Sequence, residues 1–296
     1  MHMTTTITDA DIVCTPFIKW AGGKRWLVPT IVPAIRRRLV ATQGRYFEPF
    51  LGGGAVALGL GLPCMVLADI CEPLISTYRT IRKSPEAVAW ALKTLADKGT
   101  DKASYLAVRS AKPTSSVFSA ARFIYLNKFG FNGLYRENSK GQFNVPYGGE
   151  RANASLPGAA ELRAVAQTFT NAEINLADFR ATIQQARSGD VIYADPPYFD
   201  TFSDYNAASF DDDAHDELAR ALAAAAARGA TVIASNSDHE FIREIYSWAH
   251  VVAMTERHVV GAKGTRRGAR NSVLITSDPA LLAASDLHFS DSHEEC

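Results

Sequence analysis

Asp195-Pro196-Pro197-Tyr198 is the segment of this chain with the clearest chemistry. A proline supplies a carbonyl and no N–H. Two of them between an acid and an aromatic therefore leave a turn rich in acceptors: the Asp195 carboxylate, main-chain carbonyls and the face of Tyr198. Such a surface suits an amino group carried on a flat ring. The lone pair of an exocyclic amine is delocalised into its ring. Hydrogen bonds accepted from its N–H groups concentrate density on nitrogen and aim it at an electrophilic carbon, such as an activated methyl. The step is then an in-line displacement without a covalent enzyme intermediate, for which positioning and electrostatics supply much of the acceleration. The plainer alternative is a rigid turn that closes a strand.

A second signal is Gly52-x-Gly54-x-x-Ala57 with Asp69 downstream. Missing side chains let backbone amides approach a ligand at a helix N-terminus, and an acid one βα unit later commonly binds ribose hydroxyls. A tight glycine turn packed on a sheet, or a dinucleotide site, reads equally well from these residues alone. Asn127 to Arg136 interleaves aromatic and amide groups with two cations, and Lys140 and Arg151 follow. Arginine can read guanine and asparagine adenine, though a structural hairpin has the same composition. Between Arg257 and Arg270 lies a cationic stretch containing Lys263, Arg266, Arg267 and Arg270, placed either to grip phosphates or as a solvated connection. His215, His239, His250 and His258 lack metal-ligand spacing, no G-x-S-x-G elbow is present, and surface or hydrogen-bonded structural roles are expected for these histidines.

The elements that must position these residues follow from local pattern. Arg45 to Glu48 predicts a strand running into the glycine turn, with a helix beginning over Ala55 to Leu60. Cys64 to Ala68 and Val191 to Ala194 predict strands that stop at Asp69 and Asp195, the edge at which α/β sheets bind ligands. An acidic first turn, a run of alanine and leucine, and Gly229 predict a helix from Asp211 to Arg228. Strands over Thr231 to Ser235 and Ser272 to Thr276 complete an α/β alternation, with a mostly parallel sheet covered by helices on both faces. From 83 to 162 the pattern changes. Helices around Pro85 to Ala96 and Ala120 to Phe129 precede a glycine- and asparagine-rich stretch, Asn132 to Gly149, so an inserted lobe, helical first and hairpin-like afterwards, is expected. Residues 16–82 and 163–276 then form one discontinuous domain, and 277–296 a polar tail.

Thirty-one lysines and arginines offset 31 aspartates and glutamates, so any nucleic-acid contact must come from local clusters. With 296 residues, 47% of them hydrophobic, a sizeable core is affordable. The four cysteines show neither a C-x-x-C pair nor zinc-finger spacing, and no apolar run approaches about 18 residues. No metal, no membrane and a cytoplasmic location are the expectations.

Phe17-Ile-Lys-Trp-Ala-Gly-Gly-Lys24, Glu48 to Gly54, Leu67-Ala-Asp-Ile70, Asn127 to Arg136, Phe143-Asn-Val-Pro146 and Asp195 to Tyr198, in this order, closely resemble the Dam-type DNA adenine methyltransferases. The resemblance spans about Pro16 to Ile275. It implies a Rossmann-like methyltransferase sheet with a target-recognition insertion and S-adenosyl-L-methionine as donor. Trp20, Ala21, Gly22, Gly23 and Lys24 would close over that donor. Glu48, Pro49, Phe50, Gly52, Gly54, Asp69 and Ile70 would hold its amino-acid end and ribose, with Asp178 and Phe179 near its adenine. Asp195, Pro196, Pro197 and Tyr198 would be catalytic, Asp195 touching the cofactor side as well. Lys19, Asn132, Leu134, Arg136, Asn144 and Pro146 would meet double-stranded DNA, with GATC as the implied site. The chain departs from the best-known relatives at Gly149-Glu150-Arg151, where they carry basic and aromatic residues. A base inside a duplex cannot reach such a turn, so the nucleotide would be extruded at a cost of a few kcal/mol. A monomer is expected, and a companion restriction endonuclease is left open. RNA as substrate, a dinucleotide-dependent oxidoreductase, and a DNA-binding protein that has lost catalysis are the rival readings.

Overall fold

The computed structural model describes residues 14–149, 155–200, 210–255 and 271–283. In chain order the first elements are α1 (Val28–Thr42), β1 (Tyr46–Glu48), α2 (Ala55–Leu60), β2 (Met65–Asp69), α3 (Glu72–Lys83) and α4 (Pro85–Asp97). There follow α5 (Lys102–Ser110), α6 (Ser116–Phe129), α7 (Ala159–Thr168), β3 (Glu173–Leu176), α8 (Phe179–Ile183) and β4 (Val191–Ala194). The last are α9 (Asp212–Ala227), β5 (Thr231–Ser237), α10 (Glu240–Ile245), β6 (His250–Thr255), β7 (Asn271–Thr276) and α11 (Ala280–Ala283). The strand order is β3-β2-β1-β4-β5-β7-β6. The pairs β2–β3, β1–β4 and β4–β5 are parallel, while β5–β7 and β6–β7 are antiparallel. The expected α/β sheet is present, with two strands that strand-by-strand reading did not supply: β3, only four residues long, and β6.

The described residues fall into two units, one within 1–33 and 51–178, the other within 34–50 and 179–296. In the first, β2 is buried except at Asp69. Leu74, Ile75, Tyr78 and Ile81 make the core face of α3, and Val88, Ala91 and Leu92 that of α4. Helix α6 is buried nearly all round, from Ala120 to Phe129, because α3, α4 and α5 all pack on it. Its sequence accordingly has no polar stripe. Arg79 and Arg82 reach out from α3 to the carbonyls of Ile174 (2.8 Å) and Ala172 (2.6 Å), fixing β3 beside it.

In the second unit the buried Asp190 sets the register of β1 against β4. One carboxylate oxygen accepts the Arg45 N–H (2.7 Å) and the other the Arg187 N–H (2.8 Å), immediately before the Tyr46 to Val191 pairing. Helix α9 starts where its acids place it, with the Asp211 side chain capping Ala214 N–H at 3.0 Å. Helix α1 carries Pro33 inside it, a residue that argues against a helix when only local propensity is weighed.

Candidate active site

In the first unit the glycine turn is built around Asp69. Its two carboxylate oxygens accept the N–H of Gly52 and that of Cys71, each at 2.9 Å, while Leu51 N–H bonds the Ala68 carbonyl. Burial raises the Asp69 pKa, and the N–H bonds from Cys71, Gly52 and Ile70 oppose the rise. With three N–H donors on a group that has about four acceptor sites, the carboxylate can still accept a hydroxyl. Gly52 has φ +47°, and a Cβ there would lie 2.7 Å from the Trp20 ring, so glycine is required on both counts. The Trp20 ring is in turn stacked on Tyr135 at 6.4 Å. From Trp20 the chain turns tightly: Gly23 N–H bonds Trp20 O, and the buried Lys24 Nζ donates to Gly22 O at 2.5 Å, with Ala21, Gly22 and Gly23 exposed.

Beyond Asp69, Ile70 is 68% exposed and Leu176 47% exposed, two large apolar side chains at the carboxyl ends of paired strands. Leu176 was not among the residues singled out from sequence. Its signal is an exposed apolar residue at a strand end, visible only once β3 is placed. Asp178 is exposed two residues further on, and Ala177 N–H bonds the Asp69 carbonyl at 3.2 Å.

The same unit holds the hairpin. Glu137 pairs with Phe143 and Gly130 with Tyr147 as antiparallel bridges, and Phe131 N–H reaches Pro146 O at 2.9 Å. Asn127, which opens the Asn127 to Arg136 segment, is buried and structural. It accepts the Lys19 N–H (2.9 Å) and donates to Lys19 O (2.6 Å) and Gly133 O (2.9 Å). That clamp holds Lys19 against the residue after Asn132, so closely that a Cβ on Gly133 would sit 2.4 Å from Lys19 Cβ. Asn132 is exposed at φ 54°. Arg136 Nε donates to Asn144 Oδ1 at 2.6 Å across the hairpin. Lys19, Asn132, Arg136, Asn144 and Pro146 thus come from one connected structure, with Leu134 half-buried beside them. Lys128 adds charge: burial, then Arg25 and Lys19 nearby, lower its pKa, which marks a local cationic cluster. Lys263, Arg266, Arg267, Arg270, Glu150, Arg151 and His258 lie outside the described residues.

In the second unit, Asp195 follows directly on β4, half-buried, with Pro196 buried, Pro197 exposed and Tyr198 half-buried. The end of β5 holds this turn. Ser235 Oγ donates to Asp195 Oδ1 at 2.7 Å, Asn236 Oδ1 accepts the Phe199 N–H at 2.9 Å, and Ser237 Oγ donates to Phe199 O at 2.8 Å. Glu48 is buried at the end of β1 and accepts the Tyr46 hydroxyl at 2.8 Å. Burial first, then Glu48 for Tyr46 and Asp195 for Tyr193, push both phenols well above their usual pKa, so both stay protonated beside carboxylates. Pro49 is buried, and Phe50 stacks on Phe179 at 5.6 Å with Phe210 edge-on to Phe50. His215 is buried and bonded to Asn236, and His239 caps Phe241 N–H at 3.1 Å, the hydrogen-bonded structural role expected of histidines here. Among the described residues no group of three or more His, Cys, Asp or Glu could hold a metal ion, and no helix is long and apolar enough to cross a membrane.

Residues 20–261 match the sequence profile of the D12 class N6 adenine-specific DNA methyltransferases. The chain belongs to this family. It is 32% identical over 275 residues to the type II methyltransferase M1.LlaDCHI of Lactococcus lactis subsp. cremoris, covering 88% of this chain and 95% of that one. To the retron Ec67 DNA adenine methylase of Escherichia coli it is 32% identical over 264 residues, 88% of this chain and 90% of the relative. A solved structure of the rRNA methyltransferase aviRa from Streptomyces viridochromogenes aligns over 96% of this chain and 98% of its own, at 18% identity and a TM-score of 0.35.

As a member of the family the protein is an adenine methyltransferase acting on DNA, with S-adenosylmethionine as methyl donor. That removes the oxidoreductase reading of the glycine turn and the reading with RNA as substrate. The residues present fit the donor. A carboxylate with spare lone pairs stands beside two exposed apolar side chains, which suits a nucleoside. At the Gly52 turn the absent Cβ lets the Trp20 ring close on the backbone, with the Gly52 N–H held by Asp69 and its carbonyl by the Tyr78 hydroxyl, so the turn keeps one shape.

Proposed function

We propose that the protein methylates adenine N6 within GATC in double-stranded DNA, extruding the target nucleotide from the duplex and acting as a monomer. The observation that carries this is the Asp195 to Tyr198 turn, held at its first carboxylate and at its last peptide by the end of β5. An acceptor surface of fixed shape is what an exocyclic amine needs to be aimed rather than merely bound.

In this reading S-adenosylmethionine supplies an electrophilic methyl on a sulfonium sulfur. Trp20 to Lys24, Glu48 to Phe50, Gly52, Gly54, Asp69, Ile70, Asp178 and Phe179 bind and orient that donor. Asp195 and the carbonyls before Pro196 and Pro197 accept the N–H groups of the target amine, and Tyr198 stacks on its base. As nitrogen gained a bond to the methyl carbon, the bond from that carbon to sulfur would break and sulfur would leave as a neutral thioether; the Asp195 carboxylate would stabilise the positive charge then on the amine and take up its released proton. Residues 83–162 form the recognition segment, with Lys19, Asn132, Leu134, Arg136, Asn144 and Pro146 facing DNA and Lys263, Arg266, Arg267 and Arg270 on phosphates. The matched family positions and the Asn127 clamp support this. The type II name of one relative favours a companion endonuclease as a further partner.

The test is incubation of the purified protein with tritiated S-adenosylmethionine and DNA either fully modified or unmodified at GATC, followed by digestion to nucleosides. Label in N6-methyladenine from the unmodified DNA alone is expected. Equal label from both DNAs would discard GATC while keeping the chemistry.

A further inference from the structure

The proposed catalytic turn is held by three consecutive residues of β5 whose side chains the reaction itself does not use. Ser235 Oγ donates to Asp195 Oδ1 at 2.7 Å. With that oxygen fixed, the carboxylate cannot rotate about its Cβ–Cγ bond without breaking the contact, so its second oxygen keeps one direction. Asn236 is 1% exposed, and its Oδ1 accepts two backbone donors, Phe199 N–H at 2.9 Å and Ser237 N–H at 2.8 Å. Those two donors settle which way the amide lies, so Nδ2 faces His215 Nδ1, 3.4 Å away. Only a neutral imidazole presents an acceptor there. Burial lowers the His215 pKa to about 4 against the opposing pull of Asp212 and Asp211 on its own helix. The rings packed on it from the other segments, Phe199 and Phe210, carry no charge.

Charge requirements explain the choice of residues. A carboxylate in place of Asn236 would still accept the two N–H groups, but it would place a second anion behind the turn and offer no donor to the imidazole. The amide is the one side chain of this size that accepts on one side and donates on the other. On its far side Ser237 Oγ returns a bond to Phe199 O at 2.8 Å, so both backbone polar groups of Phe199 are held.

We propose that Ser235 and Asn236, with neutral His215 behind Asn236, are positioning residues for methyl transfer. Ser235 sets the rotamer of Asp195, and Asn236 fixes the far end of the Asp195 to Phe199 turn. The inference rests on the reading of Asp195 as the group that receives the target amine. Its effect falls on the chemical step rather than on binding of the donor. The Ser235 hydrogen bond also favours the charged form of Asp195, while the Tyr193 and Tyr46 phenols and the Glu48 carboxylate share that region, the Glu48 charge acting in the opposite sense.

The experiment measures single-turnover transfer of tritiated methyl to unmodified duplex DNA by wild type, Ser235→Ala, Ser235→Thr and Asn236→Ala. Donor affinity is measured by calorimetry, and the rate is followed through the acid limb of its pH profile. Ser235→Ala and Asn236→Ala are expected to slow transfer about 10- to 100-fold with donor affinity near wild type, as a small misplacement of a reacting group does. Ser235→Thr restores the rate. The acid limb of Ser235→Ala moves to higher pH, since the carboxylate has lost a hydrogen bond that favours its charged form. Wild-type rates with an unmoved acid limb in Ser235→Ala would overturn the proposal, as would a slowing that tracks lost donor binding and melting temperature in every variant. Should Asn236→Ala not fold, the two Ser235 variants, of which only the threonine keeps the hydroxyl, decide alone. A wild-type protein that labels no DNA would instead sink the reading of Asp195 beneath it.

Discussion

In the proposed reaction Asp195 meets the target amine, while Ser235 and Asn236 hold its turn in place. Asp195 stands out because its neighbours announce it: two prolines and a tyrosine are a local signature whose chemistry can be read without a fold. Asp195→Ala is expected to abolish transfer, measured as label incorporated into DNA, while donor affinity measured by calorimetry stays partly intact. Normal turnover in that variant would end the proposed mechanism. Ser235, Asn236 and His215 carry no such signature. Serine and asparagine at the end of a strand are ordinary residues until the strand is laid beside Asp195 and Phe199, some 40 positions earlier in the chain. Asn127 is of the same kind: nothing local sets it apart from Asn132, and packing makes it a buried clamp.

At the level of elements, the clamp joins two segments that sequence reasoning treated separately, the loop from Lys19 to Lys24 and the hairpin that follows α6. Asn127→Ala leaves the N–H and carbonyl of Lys19 and the carbonyl of Gly133 without their partner. The cost should be about 1–3 kcal/mol of stability, the penalty of stranded buried polar groups. Urea unfolding would register the loss, and DNA affinity should fall along with it because Lys19 and Asn132 are no longer held together. A variant with unchanged stability and affinity would show the clamp to be ornamental. Helix α9 and strands β2, β4 and β5 were legible because caps, acids and β-branched runs are local facts. Helix α1 was not, since Pro33 argues against it and only burial of Ile31, Val32 and Ile35 outweighs that. Nor was β3, whose four residues owe their extended form to pairing with β2.

For the molecule as a whole, zero formal net charge means that DNA must be attracted by clusters rather than by a global field. Lys19, Arg25 and Lys128 form one such cluster among the described residues. Each phosphate neutralised adds about −0.9 to the slope of log affinity against log salt, so Lys19→Gln should flatten that slope by about 1 and weaken binding across DNA sequences alike. Fluorescence anisotropy over a salt series measures this directly, and a slope equal to wild type would remove Lys19 from the phosphate contacts.

What the sequence by itself determined was the chemistry and the alternation that supports it: the acceptor-rich turn, the glycine turn with its acid, and α/β order with strands ending in carboxylates. These are encoded in residues a few positions apart, where spacing alone fixes which groups can cooperate. What only the tertiary structure decided was the set of supports. Asp69 organises the glycine turn through the N–H groups of Gly52 and Cys71, Asp190 sets the register of β1 and β4, and Asn236 bonds a histidine 21 residues earlier. A hydrogen bond between distant residues depends on which strands neighbour each other and which side chains burial has stripped of water. Neither quantity is a property of any short stretch of chain.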